Sequence, residues 1–484
     1  MAFDLVVGRQ DLLIDGKRVP AASGRYFETV DPATEQSIAL VAEADAADID
    51  AAVRAARAAF EGKWGRMRAA ERGQLLLKFA ELIRQAEDEV VTLESLDAGK
   101  PVATIRRQDL PAVLDTLTYY AGMADKINGQ VIPTRADALT YTVREPLGVV
   151  GAIVPWNFPL MIGMWKIAPA LACGCTVILK PAEITPLTAL RLGELALEAG
   201  FPAGVLNVVP GFGKTAGAAL AEHPDVDKVT FTGSPGVGRE ILRAAAGNLK
   251  RVTLELGGKS ANIVFPDADL DAAARAAASG IFFNSGQVCS AGSRILVHAA
   301  VYDEMVERLV ARATAIRLGD PRDPATGMGP VVSAVQLKRV LDYIDIGRRE
   351  GAAIVTGGTR LGEAGYFVRP TVFAGVEHDM RISQEEIFGP VAAVVKFTDE
   401  ADALRIANGT RYSLAAGVWS NDIARMHRFV RKLRAGTVWV NTFGPTDVRL
   451  PWGGSRDSGF GREHGDAAIE NFTEPKTVWI NTGL

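Results

Sequence analysis

The sequence predicts an α/β protein made of two large units around mainly parallel sheets. Its 484 residues exceed one ordinary core, since domains run at about 150 residues each. From residue 146 onward strand-like and helix-like runs alternate, as successive βαβ crossovers do. The alternation also occurs twice, once from "CTVILK" to "RVTLELGG" and again from "SANIVF" to "AGTVWVN".

Each element has its own justification. "DAADIDAAVRAARAAF" starts on the cap-competent Asp45 and places Ile49, Val53, Ala56 and Phe60 at helical spacing. "GQLLLKFAELIRQAEDEVV" repeats the pattern as one further helix. "ALTYTVREPLGVVGAIVPW" is rich in β-branched and aromatic residues, so it reads as strands with a break at Glu145–Pro146. Between Pro146 and Leu179 the only charge is Lys166, a length at which a membrane span is worth testing. Pro155, Pro159 and Pro169 would interrupt such a helix, so the run reads as strand, loop, helix and strand. The first unit continues through "PLTALRLGELALEAG", "GVLNVVPG", "GKTAGAALAEH", "DKVTFTG" and "GVGREILRAAA". The second contains "DLDAAARAAASGIFF", "SRILVH", "VYDEMVERLVARATAI", "AAIVTGG", "FVRPTVF" and "VAAVVKF". "EPKTVWINTGL" closes the chain as a strand with an open edge, which invites pairing with another chain.

Composition narrows the function. Apolar residues make up 48% and charged residues 23%, the balance of a globular protein. With 53 Lys and Arg against 57 Asp and Glu, the net charge is -4. No basic field exists to attract nucleic acid or an anionic membrane, so a small-molecule partner is expected. Three cysteines cannot form a disulfide framework, and five scattered histidines show no metal-cage spacing. A reducing cytoplasm is therefore expected, and "MAFDLVVGRQDLLIDG" carries no signal-peptide pattern.

Several short stretches carry chemistry, each beside a plainer reading. "GFGKT" and "LGGKS" end like phosphate-binding P-loops, but the required first glycines are Val208 and Thr253. "FTGSPGVGREIL" puts Gly233 between a strand and a helix whose free N–H groups suit a pyrophosphate. Its glycine spacing is not the usual dinucleotide fingerprint, and a simple turn fits equally. "VILKPAE" puts Lys180 and Glu183 past a strand end, where they could hold a ribose or form a surface pair. A carboxylate there would repel a 2′-phosphate, favouring NAD over NADP. "PWNFP" fixes Asn157 between prolines as an oxyanion donor or an ordinary turn residue. "VTLELGGKSA" sets Glu255 in an apolar strand, either buried as a general base or facing solvent. In "FFNSGQVCSAGSR", Cys289 sits among polar and glycine residues, where backbone or helix N–H groups could raise its thiolate fraction. Cys173 and Cys175 lie in "LACGCTVIL", an apolar setting expected of structural cysteines.

Taken in order, "PWNFP", "KPAE", "FTGS", "LELGGKSA", "FFNSGQVCSAGSR", "EEIFGP" and "PWGGSRDSGFGREHG" closely resemble the aldehyde dehydrogenase superfamily of hydrolytic type, over nearly the whole chain. The resemblance implies a Rossmann-type NAD-binding domain over 1–124 and 146–256 and an α/β catalytic domain over 257–452. It also implies a small β oligomerisation arm over 125–145 and 468–484, hence a cytoplasmic homodimer or homotetramer. It implies Cys289 as nucleophile, Glu255 as general base, Asn157 as oxyanion donor and Lys166 behind them. The cofactor, NAD in preference to NADP, would meet Ile153, Trp156, Lys180, Glu183, Gly213, Gly233, Ser234, Val237, Leu256, Gly257, Gln336, Glu386 and Phe388. An aldehyde would pass Phe158, Ile162, Trp165, Val288, Ser290, Phe443 and Trp452, an aromatic and apolar wall suited to aromatic or medium-chain aldehydes. Trp452 stands where the superfamily commonly has Phe and is similar to the tryptophan of betaine-aldehyde and aminoaldehyde dehydrogenases. Core packing is the plain alternative for all these aromatics, and a catalytically silent relative is the alternative for the whole.

Overall fold

The computed structural model describes residues 8–483. The first seven residues, on which the signal-peptide reading partly rests, and the final residue of the expected arm lie outside them. Asp45 caps the helix Ala46–Glu61 in a reciprocal box, accepting from the Ala47 N–H at 3.0 Å while Asp48 accepts from the Asp45 N–H.

The single helix expected next is two, Ala69–Gln85 and Glu87–Ala98, separated at Ala86. The second buries every residue from Val90 to Ala98. The break falls at Ala86, whose φ −90° and ψ 18° leave the helical region. The strand break also lies elsewhere, because the strand Ala138–Pro146 runs through Glu145 and the turn falls at Leu147–Gly148, where Gly148 takes φ +126°. Pro169 does not break its helix but sits inside Pro159–Cys173, whose almost complete burial compensates for the lost hydrogen bond. In "FVRPTVF" the strand begins only at Thr371, after Pro370, which has no N–H to give a ladder.

Two sheets dominate. The first holds five parallel strands in the spatial order Arg251–Glu255, Lys228–Thr232, Val149–Ile153, Thr176–Lys180, Leu206–Val208. Numbered along the chain this order is 5-4-1-2-3, that of a dinucleotide-binding sheet, extended by antiparallel strands at both edges. Its switch point lies between Val149–Ile153 and Lys228–Thr232. The second sheet has six parallel strands and the antiparallel edge strand Ala353–Thr356. Apart from these, Thr473–Asn481 pairs antiparallel with Ala138–Pro146 in a two-stranded ribbon, with Trp479 57% exposed. No helix among the described residues is long and apolar enough to cross a membrane.

Candidate active site

Cys289 lies in the loop between the helix Leu270–Phe282 and the strand Arg294–His298. Ahead of it Asn284, Ser285 and Gly286 take φ of 48°, 55° and 73°, three left-handed residues in a row. Such a run is costly outside glycine and is held by its surroundings. Ser285 donates to the Gly329 carbonyl at 2.8 Å, Gln287 accepts from the Val332 N–H at 2.9 Å, and a Cβ on Gly286 would lie 2.0 Å from the Gly389 oxygen. The loop is thus fixed before any ligand arrives.

No helix begins at Cys289, so the expected rise in thiolate fraction is not met. Burial pushes the thiol up to about 12, with Glu386 and Glu255 adding to the effect, while the backbone N–H groups of Ser290 and Cys289 oppose it. Cys173 and Cys175 are buried, and Cys175 donates to the Phe472 carbonyl at 3.3 Å.

Asn157 is buried, and its side-chain amide donates to the Gln287 main-chain carbonyl at 2.9 Å while its main-chain carbonyl accepts from the Asn284 side chain at 2.8 Å. One amide hydrogen remains available beside Cys289, where both residues line the same cavity. Glu255 ends its strand opposite Thr232 and is buried, so the solvent-facing alternative fails. Burial, then the nearby Glu463, raise its pKa well above the usual carboxyl range, with Lys166 and Arg462 opposing. Lys166 is ion-paired to Glu463 and donates to Thr230 at 3.2 Å. Glu463 was missed by sequence reasoning; "GFGREHG" named its stretch but gave no sign that this acid turns inward.

Two cavities meet at Cys289, the one residue among those described that lines both. The first, of about 210 Å³, is walled by residues following the strands at the switch point: Trp156 and Asn157, then Thr232, Gly233 and Ser234, then Leu256 and Gly257. Gln336, Arg339, Glu386 and Phe388 close it from the second unit. Gln336 donates to the Phe388 carbonyl at 2.7 Å, and Glu386 accepts from the Gly258 N–H at 2.9 Å. Burial pushes Glu386 up to about 7.

These residues fit a dinucleotide. Ser234 caps the helix Pro235–Ala245, whose free N–H groups open at the cleft. A Cβ on Gly257 would lie 2.3 Å from the Glu386 carboxyl, and Thr232 Oγ1 is buried with no partner among the described residues. The other expected cofactor residues, Ile153, Lys180, Glu183, Gly213 and Val237, do not line this cavity. Lys180 and Ile153 are paired in register on the same sheet edge, and the Lys180 ammonium, lowered by burial, has Glu183 at 3.5 Å.

The second cavity, of about 380 Å³, is lined by all seven expected substrate residues, Phe158, Ile162, Trp165, Val288, Ser290, Phe443 and Trp452. Sequence reasoning missed Met161, Phe283, Gln108 and Ala112 in the same wall. The last two lie far upstream near the start of the helix Leu110–Met123, and no motif marked them. Trp165 and Trp452 approach to 6.3 Å between centroids, and Trp439 stands behind, 4.7 Å from Phe443.

Comparison with known proteins agrees in kind. The profile of the aldehyde dehydrogenase family matches residues 19–478. An aldehyde dehydrogenase of Emericella nidulans is 52% identical over 473 residues, covering 98% of this chain and 95% of its own. The NAD+ complex of an aldehyde dehydrogenase from Bacillus cereus superposes with a TM-score of 0.97 at 50% identity, covering 99% of this chain and 97% of the other. A variant of the indole-3-acetaldehyde dehydrogenase AldA of P. syringae, in complex with NAD+ and IAA, gives 0.96 at 46% identity over 98% and 96%.

Proposed function

The chain belongs to the aldehyde dehydrogenase family and is an NAD-using aldehyde dehydrogenase, and we propose that it oxidises aromatic or medium-chain aliphatic aldehydes to carboxylic acids through a thioester on Cys289. The observation that carries this reading is that Cys289 alone lies on both the cofactor cleft and the apolar tunnel. An aldehyde carbon in the tunnel is within reach of its sulfur. Attack, with the thiol proton passing to water in the cleft, gives a thiohemiacetal whose oxyanion takes hydrogen bonds from the free Asn157 amide hydrogen and the Cys289 backbone N–H. NAD+ bound in the cleft supplies the acceptor for the hydride that this carbon gives up. Glu255, made basic by burial, takes a proton from the water that cleaves the thioester, and the buried Lys166–Glu463 pair sets the field around it.

On the cofactor side we assign Trp156, Gly233, Ser234, Leu256, Gly257, Gln336, Glu386 and Phe388 to the nicotinamide half and pyrophosphate. Ile153, Lys180, Glu183, Gly213 and Val237 are assigned to the adenosine half, further along the same sheet edge. Glu183 carries the preference for NAD over NADP. The NAD-binding domain spans 1–124 and 146–256 and the catalytic domain 257–452. The ribbon over 125–145 and 468–484 joins subunits through its open edge in a homo-oligomer, and the enzyme works in the cytoplasm. The indole-3-acetaldehyde named for the P. syringae relative supports an aromatic substrate. The pairing of Trp165 with Trp452 favours a second reading, an aminoaldehyde or betaine aldehyde whose cation rests on the rings.

Purified enzyme with NAD+ is expected to produce NADH from benzaldehyde and hexanal faster than from betaine aldehyde, and to release free acid whether or not coenzyme A is added. A reversed substrate order would transfer the assignment to the cationic aldehydes; an acyl thioester product would remove water as acceptor.

A further inference from the structure

A third cavity, of about 530 Å³, opens beside the tunnel and shares Gln108, Ala112, Trp165 and Thr446 with it. The tunnel beside Cys289 is apolar, whereas this chamber is walled by Thr116, Tyr119, Asp447, Arg449 and His464. Asp447 and Arg449 bind each other through two hydrogen bonds of 2.8 and 2.6 Å, so each has its charge matched at the rim. His464 is different. It is 3% exposed and lines the chamber; the Asp447 main chain lies beside its ring, yet neither ring nitrogen makes a hydrogen bond of normal geometry among the described residues.

That placement is maintained against local preference. His464 takes φ +66° and ψ 165°, and its ring stands edge-on to Trp165 with centroids 4.3 Å apart. Burial disfavours the imidazolium, leaving a neutral ring with one donor and one acceptor. Trp165 is thus a wall between the aldehyde tunnel on one side and a buried neutral hydrogen-bonding group on the other, and the two spaces are adjacent across Gln108, Ala112 and Thr446.

We propose that this chamber is the distal substrate subsite: it takes a neutral hydroxyl or phenol carried at the far end of an aldehyde whose apolar body fills the tunnel, with His464 as the group that recognises it. The assignment rests on the reading of the second cavity as the aldehyde tunnel. A distal hydroxyl could both donate to and accept from the imidazole, whereas an alkyl end would leave both nitrogens bare.

The test compares alkanals from hexanal to dodecanal with the ω-hydroxyaldehydes of equal length, using intact enzyme and saturating NAD+. At lengths that reach the chamber, the hydroxyaldehyde is expected to exceed its alkanal in kcat/KM. His464→Leu should lower the hydroxyaldehyde value about tenfold or more while leaving alkanals and benzaldehyde within about twofold, mainly through KM. His464→Gln, which keeps a donor and an acceptor, should restore part of the loss. Equal losses for both substrate series, or no length at which the hydroxyl helps, would overturn the proposal and leave the tunnel reading intact. A wild-type enzyme inert toward every alkanal would overturn the tunnel reading and this one with it.

Discussion

On one side of Cys289 the cofactor cleft is walled by strand ends, glycines and a helix N-terminus; on the other the tunnel is walled by large side chains brought from remote segments. On the proposed function, recognition in the cleft is done by backbone: Gly257 must lack a side chain because Glu386 lies where its Cβ would go. In the tunnel it is done by volume and surface, through Phe158, Trp165, Phe443 and Trp452. Backbone geometry tolerates few residue types, so the cleft should be intolerant of change and indifferent to the aldehyde. Side-chain walls tolerate many, so the tunnel should accept change and pay for it in selectivity.

The largest effect tests the point shared by both. Cys289→Ser should cut kcat about a thousandfold or more while NAD+ binding, followed by fluorescence titration, stays within about twofold. Turnover near wild type would remove the nucleophile and with it the link between the cavities. Next comes Asn157→Ala, expected to lower kcat about a hundredfold with little change in either KM. A loss confined to KM would mean that the amide positions substrate and does not meet an oxyanion.

The two walls are separated by a matched pair. Trp452→Ala should raise KM for benzaldehyde about tenfold and leave KM for NAD+ unchanged, whereas Gly257→Ala should do the reverse. If both variants moved both constants, the cavities would not be independent. The smallest effect concerns pH and stability. His464 has its folded pKa pushed down to about 4 from 6.5, by burial first, against the opposing influence of Glu463 and Asp447. The unfolded chain therefore binds a proton that the folded chain refuses between these values. Stability should fall as pH drops from 6.5 toward 4, and His464→Leu should flatten that part of the profile by about 1–2 kcal/mol in urea titrations. An unchanged slope would mean that the imidazole is protonated without cost.

Much of the cleft was legible because its requirements are local. A strand, a tight glycine turn and a helix start are encoded within one short stretch, so "FTGSPGVGREIL" could be read even though its glycine spacing was unusual. The tunnel was legible only where the resemblance supplied it; Met161, Phe283, Gln108 and Ala112 carry no local signal of facing a substrate. The inward turn of Glu463 and the two-helix division at Ala86 were hidden for the same reason, since both depend on what packs against them.

By itself the sequence determined the alternation of strands and helices and the ordered motifs that carry the family resemblance, because these rest on spacing and chemistry along a few residues. Only the tertiary structure decided that Cys289 stands between two cavities, that its thiol is pushed up and not down, and that Glu255 is buried against Glu463. The physical reason is that burial and electrostatic coupling are properties of neighbours in space, and these neighbours are far apart along the chain, as Glu255 is from Glu463 and Cys289 from Glu386.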